Sequence, residues 1–273
     1  MGSFRIIAIT AAYFAASANP AMARASAPKS IVAEKSVSTT TKSEPPKWLE
    51  ICSKIAPATS VLCSLAPLPT IFEVSRNKSV GSLPLLSYSS MTANGFVWAL
   101  YGWLTDSPAV KWANIVGTLL GSYYFKEFKK YCPPGSSNLP GTMNHHIFGV
   151  TWLILANSFL VSKFPKQFAA DIVGKEGILI FIILFASPLA ALKNVIATKS
   201  AASIPLPFTI ASTINCSLWS IVGVLLMNDF NIYFPSMMGL LCALLQLFLK
   251  GMYGGSKIET VMLQEMGKME HTV

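Results

Sequence analysis

Apolar residues in this chain gather into long runs broken by short polar stretches. From about residue 48 onward each run approaches the ~20 residues that an α-helix needs to cross a bilayer. The pattern predicts seven spanning helices, at about 48–72, 84–104, 110–131, 143–163, 173–195, 205–227 and 232–253. The connections between them are short and hold most of the charge. The expected class is an all-α membrane protein.

The chain also contains itself twice. Setting residue i against i + 121 lays Ala66–Gly102 on Ser187–Gly223 without a gap. Pro67 then falls on Pro188, Lys78-Ser79 on Lys199-Ser200, and Pro84-Leu85 on Pro205-Leu206. Asn94 meets Asn215, Trp98 meets Trp219 and Gly102 meets Gly223. Apolar residues match by chance in any membrane protein, but prolines, a Lys-Ser pair, an Asn and a Trp rarely keep register together. Each copy holds three helices, so a second copy joined directly would insert upside down. The basic Lys-Ser loop nevertheless has the same place in both. Ile147–Val161 supplies the extra crossing that restores the orientation. The expected architecture is 3+1+3: a first three-helix repeat at 48–131, a linker helix at 143–163 and a second, parallel repeat at 173–253. Duplicated units of this kind point to a transporter.

Composition agrees. Hydrophobic residues make up 52% of the chain and charged ones 12%, about half the roughly 25% charged typical of soluble domains. The net charge of +9 would suit nucleic acid, but its placement argues against that partner. Arg76 and Lys78, Lys126, Lys129 and Lys130, Lys193 and Lys199, and Lys250 and Lys257 all fall on one side of the predicted membrane. The opposite loops around Asp106 and Asn228-Asp229 are nearly free of positive charge, with Lys163, Lys166 and Lys175 reducing the contrast. The positive-inside rule puts the C-terminus, with its 254–273 tail, in the cytosol and the mature N-terminus outside. The five cysteines have neither a disulfide framework nor metal-ligand spacing, and no cofactor is expected.

The N-terminus reads differently. Met1–Arg5 is basic, Ile6–Ala16 is apolar but too short to span, and Ala21-Met22-Ala23 has the small-x-small form of a signal-peptidase site. Residues 1–23 are expected to be a cleavable signal peptide. Residues 24–47, rich in Ser, Thr and Lys, are expected to form a disordered extracytosolic segment; the alternative is the transit-like half of a two-part plastid signal. The plasma membrane is the expected location, with an endomembrane or the plastid envelope as alternatives.

Motifs from the two copies, taken in order, resemble the SWEET sugar transporters (MtN3/saliva type). The first copy carries Ala66-Pro67-Leu68-Pro69-Thr70, Arg76-Asn77-Lys78-Ser79, Trp98-Ala99-Leu100-Tyr101-Gly102 and Asn114-Ile115-Val116-Gly117. The second carries Ser187-Pro188-Leu189, Thr198-Lys199-Ser200, Ile204-Pro205, Trp219, Asp229 and Pro235-Ser236-Met237-Met238-Gly239. The resemblance covers about residues 55–253. It implies bidirectional, energy-independent sugar movement by alternating access, no enzymatic activity, and a homo-oligomer in the bilayer. Parallel repeats are a known trait of that family. The chain departs from the pattern at Ser87, where the family has a kinking proline, at Ser236 in place of Asn, and at Val222 in place of Tyr.

The resemblance also implies roles. Trp98, Asn114, Trp219 and Ser236 would bind the sugar, the indoles against apolar ring faces and the polar pair against hydroxyls. Simple packing, interfacial anchoring and inter-helix bonding are the alternatives. Pro67, Pro84, Pro188 and Pro205 would serve an inner gate rather than ordinary kinks. Tyr101 and Asp229 would close an outer gate by a phenol–carboxylate bond; a solvated loop Asp and an interfacial Tyr are the alternative. Asn94 and Asn215 read as inter-helix bonding residues, and His145-His146 as a helix-entry pair without a metal partner. The Asn77-Lys78-Ser79 sequon is on the cytosolic side, where it would not be used. Acidic residues are nearly absent from the spans, so no proton relay is evident. A sugar uniporter, for a monosaccharide such as glucose, is the leading expectation. A non-transporting scaffold that kept the fold, or a PQ-loop carrier for another solute, is the alternative.

Overall fold

Prolines and left-handed residues mark where the helices start and stop. The computed structural model describes residues 44–81, 83, 85–133, 142–201 and 204–254, with side chains throughout except at 185–191. The predicted signal 1–23, residues 24–43 of the segment after it, the tail from 255, and Pro84 lie outside the described residues. The first span is two helices, α1 (Lys47–Leu65) and α2 (Leu68–Asn77), parted at Ala66-Pro67. Next come α3 (Leu85–Leu104), α4 (Pro108–Tyr131) and α5 (Met143–Lys163). The second repeat holds α6 (Lys166–Thr198), α7 (Leu206–Val222), continued by a π-helical turn over Gly223–Met227, and α8 (Phe230–Tyr253).

Pro67 and Pro205 are the N-caps of α2 and α7, and Pro108 opens α4, where a missing N–H breaks no helical bond. At the other ends Lys78 and Lys199, matched by the repeat, both adopt left-handed backbone (φ 49° and 52°) and stop α2 and α6. The match is imperfect at the prolines. The helix is broken at Pro67, whereas its counterpart Pro188 lies within the continuous span of α6.

Packing reproduces the duplication. In the first repeat α4 lies against α1 and α3; in the second α8 lies against α6 and α7. Between repeats, α1 meets α7 and α3 meets α6. The first helix of each copy thus touches the second helix of the other, as a two-fold relation between parallel units requires. The linker α5 lies against α3 and α6, one helix from each repeat. This is the 3+1+3 fold. By length and composition, four stretches among the described residues qualify as spans on their own: Lys47–Asn77, Met143–Lys163, Leu206–Met227 and Phe230–Tyr253. Helix α3 does not, because it faces protein rather than lipid: Ser89, Ser90 and Thr92 are buried along it.

The π turn explains a shift in register. Gly102 is pressed so closely against Val110–Lys111 that a Cβ would collide with their backbone, and Gly223 stands in the same way against Tyr233. The glycines are related by i + 121, but Lys111 and Tyr233 by i + 122. One extra residue therefore lies between Gly223 and Tyr233, and the widened turn at Gly223–Met227 takes it up. Beyond it Val110 corresponds to Ile232, Asn114 to Ser236, Gly117 to Gly239 and Tyr131 to Tyr253.

Candidate functional site

A cavity of about 120 Å³ lies between the repeats. Each repeat gives it matched residues: Trp98 and Trp219, Asn94 and Asn215, Asn114 and Ser236, Val110 and Ile232. The remaining wall is unmatched in character, with Ser60 from α1 opposite Phe181 from α6, and Pro235 beside Ser236. All four residues expected to contact substrate thus share one cavity. Trp98 and Trp219 are 8% and 7% exposed, so their rings are packed within the protein and offer only part of their surface.

The hydrogen bonds around the cavity divide it into two unlike halves. Trp219 donates its Nε1–H to Ser60 Oγ at 2.7 Å, and the Ser60 and Thr59 hydroxyls both donate to Asn215 Oδ1 at 2.9 Å. This network joins α1 to α7. Trp98 instead donates to Asn94 Oδ1, four residues back on its own helix, at 3.1 Å. Asn215 therefore bridges helices, whereas Asn94 steadies the indole beside it. Both indole N–H groups already have partners, so the rings present apolar surface to a ligand. Asn114 and Ser236 each donate back to the carbonyl four residues earlier, Val110 and Ile232, at 2.8 Å. Asn114 keeps a second amide hydrogen and its carbonyl oxygen for a ligand, while Ser236 keeps only lone pairs.

One helical turn from Trp98 the cavity is capped. The Tyr101 hydroxyl, from the first repeat, donates to Asp229 Oδ2 of the second at 2.7 Å. Asn231 completes the closure: its Nδ2 donates to Tyr101 OH at 3.2 Å, while its backbone N–H donates to Asp229 Oδ1 at 3.0 Å. The Trp98 and Tyr101 rings meet edge to face with centroids 5.5 Å apart, so cap and cavity are in contact. Helix α6 permits this closeness through two glycines. A Cβ on Gly174 would come within 2.5 Å of Asn231 Nδ2, and one on Gly177 within 2.9 Å of the Trp98 ring.

Of the four prolines, the three within the described residues do not line the cavity. Pro67 and Pro205 stand at helix starts near the basic end, marked by Lys78 and Lys199, and Pro188 lies within α6. His145 closes a capping box with Thr142 at the entry of α5, and His146 Nδ1 lies 2.6 Å from Ser89 Oγ. Sequence reasoning missed Ser60, Asn231 and Glu176. Ser60 and Phe181 precede the stretch over which the copies keep strict register, and Asn231 follows the inserted residue. Glu176, on α6, accepts a 2.8 Å bond from Asn157 Nδ2 of the linker. Among the described residues no cluster of His, Cys, Asp and Glu could hold a metal.

Two parallel three-helix repeats enclosing a small cavity, capped by side chains from both repeats, define a membrane carrier. The sequence profile of the MtN3/saliva family, described as "Sugar efflux transporter for intercellular exchange", matches residues 50–135 and 171–257. The chain belongs to that family. The linker helix falls between the two matched segments. Among similar proteins, "Bidirectional sugar transporter SWEET12" of Oryza sativa subsp. japonica is 29% identical over 72% of this chain and 66% of its own length. "Bidirectional sugar transporter SWEET9" of Arabidopsis thaliana is 29% identical over 70% and 74%. "Sugar transporter SWEET1" of Dictyostelium discoideum is 27% identical over 69% and 86%. The match thus spans just under two thirds of the rice protein. A solved eukaryotic SWEET transporter has the same fold, with a TM-score of 0.68 at 23% identity, covering 76% of this chain and 99% of that one.

Proposed function

We propose that this protein carries a monosaccharide such as glucose across a membrane by bidirectional, energy-independent alternating access. The observation that carries this reading is the pair of indoles, Trp98 and Trp219, at matched positions of one cavity of about 120 Å³. That volume is below the roughly 300 Å³ at which sites for drug-sized ligands begin, and it suits one sugar ring rather than two. Aromatic faces attract the C–H faces of a pyranose, and Asn114 and Ser236 complete the site with polar groups for hydroxyls. The names of the similar proteins agree with a sugar as the substrate.

In this reading Tyr101 and Asp229 form the outer gate, closed in the present conformation, and Pro67, Pro84, Pro188 and Pro205 serve the inner one. The basic end faces the cytosol, which puts the N-terminus outside and the C-terminus inside. The plasma membrane is the location this reading favours, and the working form is a homo-oligomer. The test is uptake of labelled hexose in a host lacking its own hexose carriers. Uptake that follows the gradient and ignores proton uncouplers supports uniport, whereas collapse on uncoupling replaces it with proton coupling.

A further inference from the structure

Glu176 is partly buried on α6, three residues into the span predicted at 173–195, and has no counter-ion among the described residues. It sits on α6 about ten residues, or roughly 15 Å, from the start of that helix. It does not line the cavity, and it makes a polar contact with the linker: Asn157 Nδ2 donates to Glu176 Oε2 at 2.8 Å. Asn157 is fully buried (0% exposed) and uses its other amide hydrogen on Leu153 O at 3.0 Å. Its Oδ1, also buried, accepts no hydrogen bond from the described residues. A carboxylate answered by one neutral donor beside an empty acceptor is an expensive arrangement in a bilayer. A carboxylic acid is not, since it is neutral and brings a donor of its own to a cluster that lacks one.

Among the described residues, the helices packed against α6 offer no free charge to balance an anion. Helix α3 carries no charge, and its titratable groups are Tyr88 and Tyr101, the latter bonded to Asp229. Helix α8 follows Asp229 and has Tyr233, Cys242, Lys250 and Tyr253, its only charge falling in its last turn. On α5 His145 and His146 are at one end and Lys163 at the other. Within α6 Lys175 is paired with Asp171 at 2.6 Å on the exposed side, while Lys166 and Lys193 are far along the helix, Lys166 being paired with Asp106.

Resting on the reading of Tyr101–Asp229 as the outer gate, we infer that Glu176 and Asn157 form a proton-binding site that latches the linker helix to the second repeat and ties gate closure to pH. The connection to the gate is short. Glu176 lies between Gly174, against which Asn231 and Tyr101 close, and Gly177, against which Trp98 rests. A shift of α6 relative to α5 therefore moves the seat of both. The neutral acid favours the dry, latched conformation described here, and ionisation favours one in which water reaches the carboxylate. By linkage, protons stabilise the closed gate and alkaline pH loosens it.

Two measurements on the purified full chain in bilayer nanodiscs test this without relying on transport. In pH-difference infrared spectra the wild type should show a carboxylic C=O band that titrates and that Glu176→Gln removes. Hydrogen exchange of the segments holding Tyr101 and Asp229, compared between the two proteins at equal pH, should be at least threefold faster in the wild type at pH 8 and equal at pH 5.5. An infrared band unchanged by Glu176→Gln would overturn the proton site. Equal exchange at both pH values would overturn its link to the gate.

Discussion

Trp219 of the second repeat and Ser60 of the first are joined by a 2.7 Å hydrogen bond, and the duplication does not repeat it. The residue matched to Ser60 is Phe181, which has no hydroxyl to offer, and Trp98 turns to Asn94 on its own helix. The cavity consequently has a hydroxyl-rich side and an aromatic side. A ring-shaped ligand can bind in a preferred orientation there, although the backbone around it is two-fold.

Ser60→Ala should weaken apparent sugar affinity. It removes the acceptor of the Trp219 N–H and one of the two donors to Asn215, and a buried polar group left unsatisfied costs about 1–3 kcal/mol. Concentration dependence of uptake should show KM raised roughly tenfold, with Ser60→Thr close to wild type. An unchanged KM in Ser60→Ala would leave the serine a bystander.

At the proposed outer gate, Tyr101→Phe removes a bond to a charged group, worth about 1.5–3 kcal/mol, and should shift the population toward the outward-open form by about tenfold or more. Gly174→Ala should act in the same direction by sterics, since its Cβ would stand 2.5 Å from Asn231 Nδ2. Spin-label distances across the gate give the check. Distributions in both variants that match the wild type would show that these contacts do not hold the gate.

Much of this was legible in the sequence because membrane insertion leaves strong marks. Long apolar runs, basic loops and a gap-free repeat are enough to give three helices, a linker and three more. The indoles are legible because the repeat matches them. What escaped did so for physical reasons. Ser60 lies where the copies differ, and the difference is what makes it useful. Asn231 stands beyond a one-residue insertion that only the π turn at Gly223–Met227 makes visible. Glu176 stands beside Lys175 and looks like one half of a surface pair until the structure gives Lys175 to Asp171. The prolines read as equivalent pairs, yet the chain breaks at Pro67 and continues through Pro188.

Ser236→Asn should tighten apparent hexose affinity, because an amide adds donors where the serine hydroxyl is already committed to Ile232 O at 2.8 Å. A recovered sugar bond is worth about 0.5–1.5 kcal/mol, or roughly two- to tenfold in KM. Trp98→Ala or Trp219→Ala should abolish hexose transport or admit larger sugars. Competition by a sugar panel separates these outcomes, and an unaltered panel in both would remove the indoles from the site.

Tags fix the orientation. One after Val273 should resist external protease in intact cells, while one near Ser36 is cleaved. The opposite pattern would invert the gates, with Tyr101–Asp229 becoming the cytosolic closure.

Facilitated transfer of a single sugar ring is read out by exchange in proteoliposomes containing only this protein, with equal sugar and equal pH on both sides and no membrane potential. Labelled glucose should equilibrate across the membrane, and labelled sucrose should not. Robust sucrose exchange with glucose excluded would contradict the one-ring cavity, and movement of glucose only under an imposed ion gradient would contradict uniport.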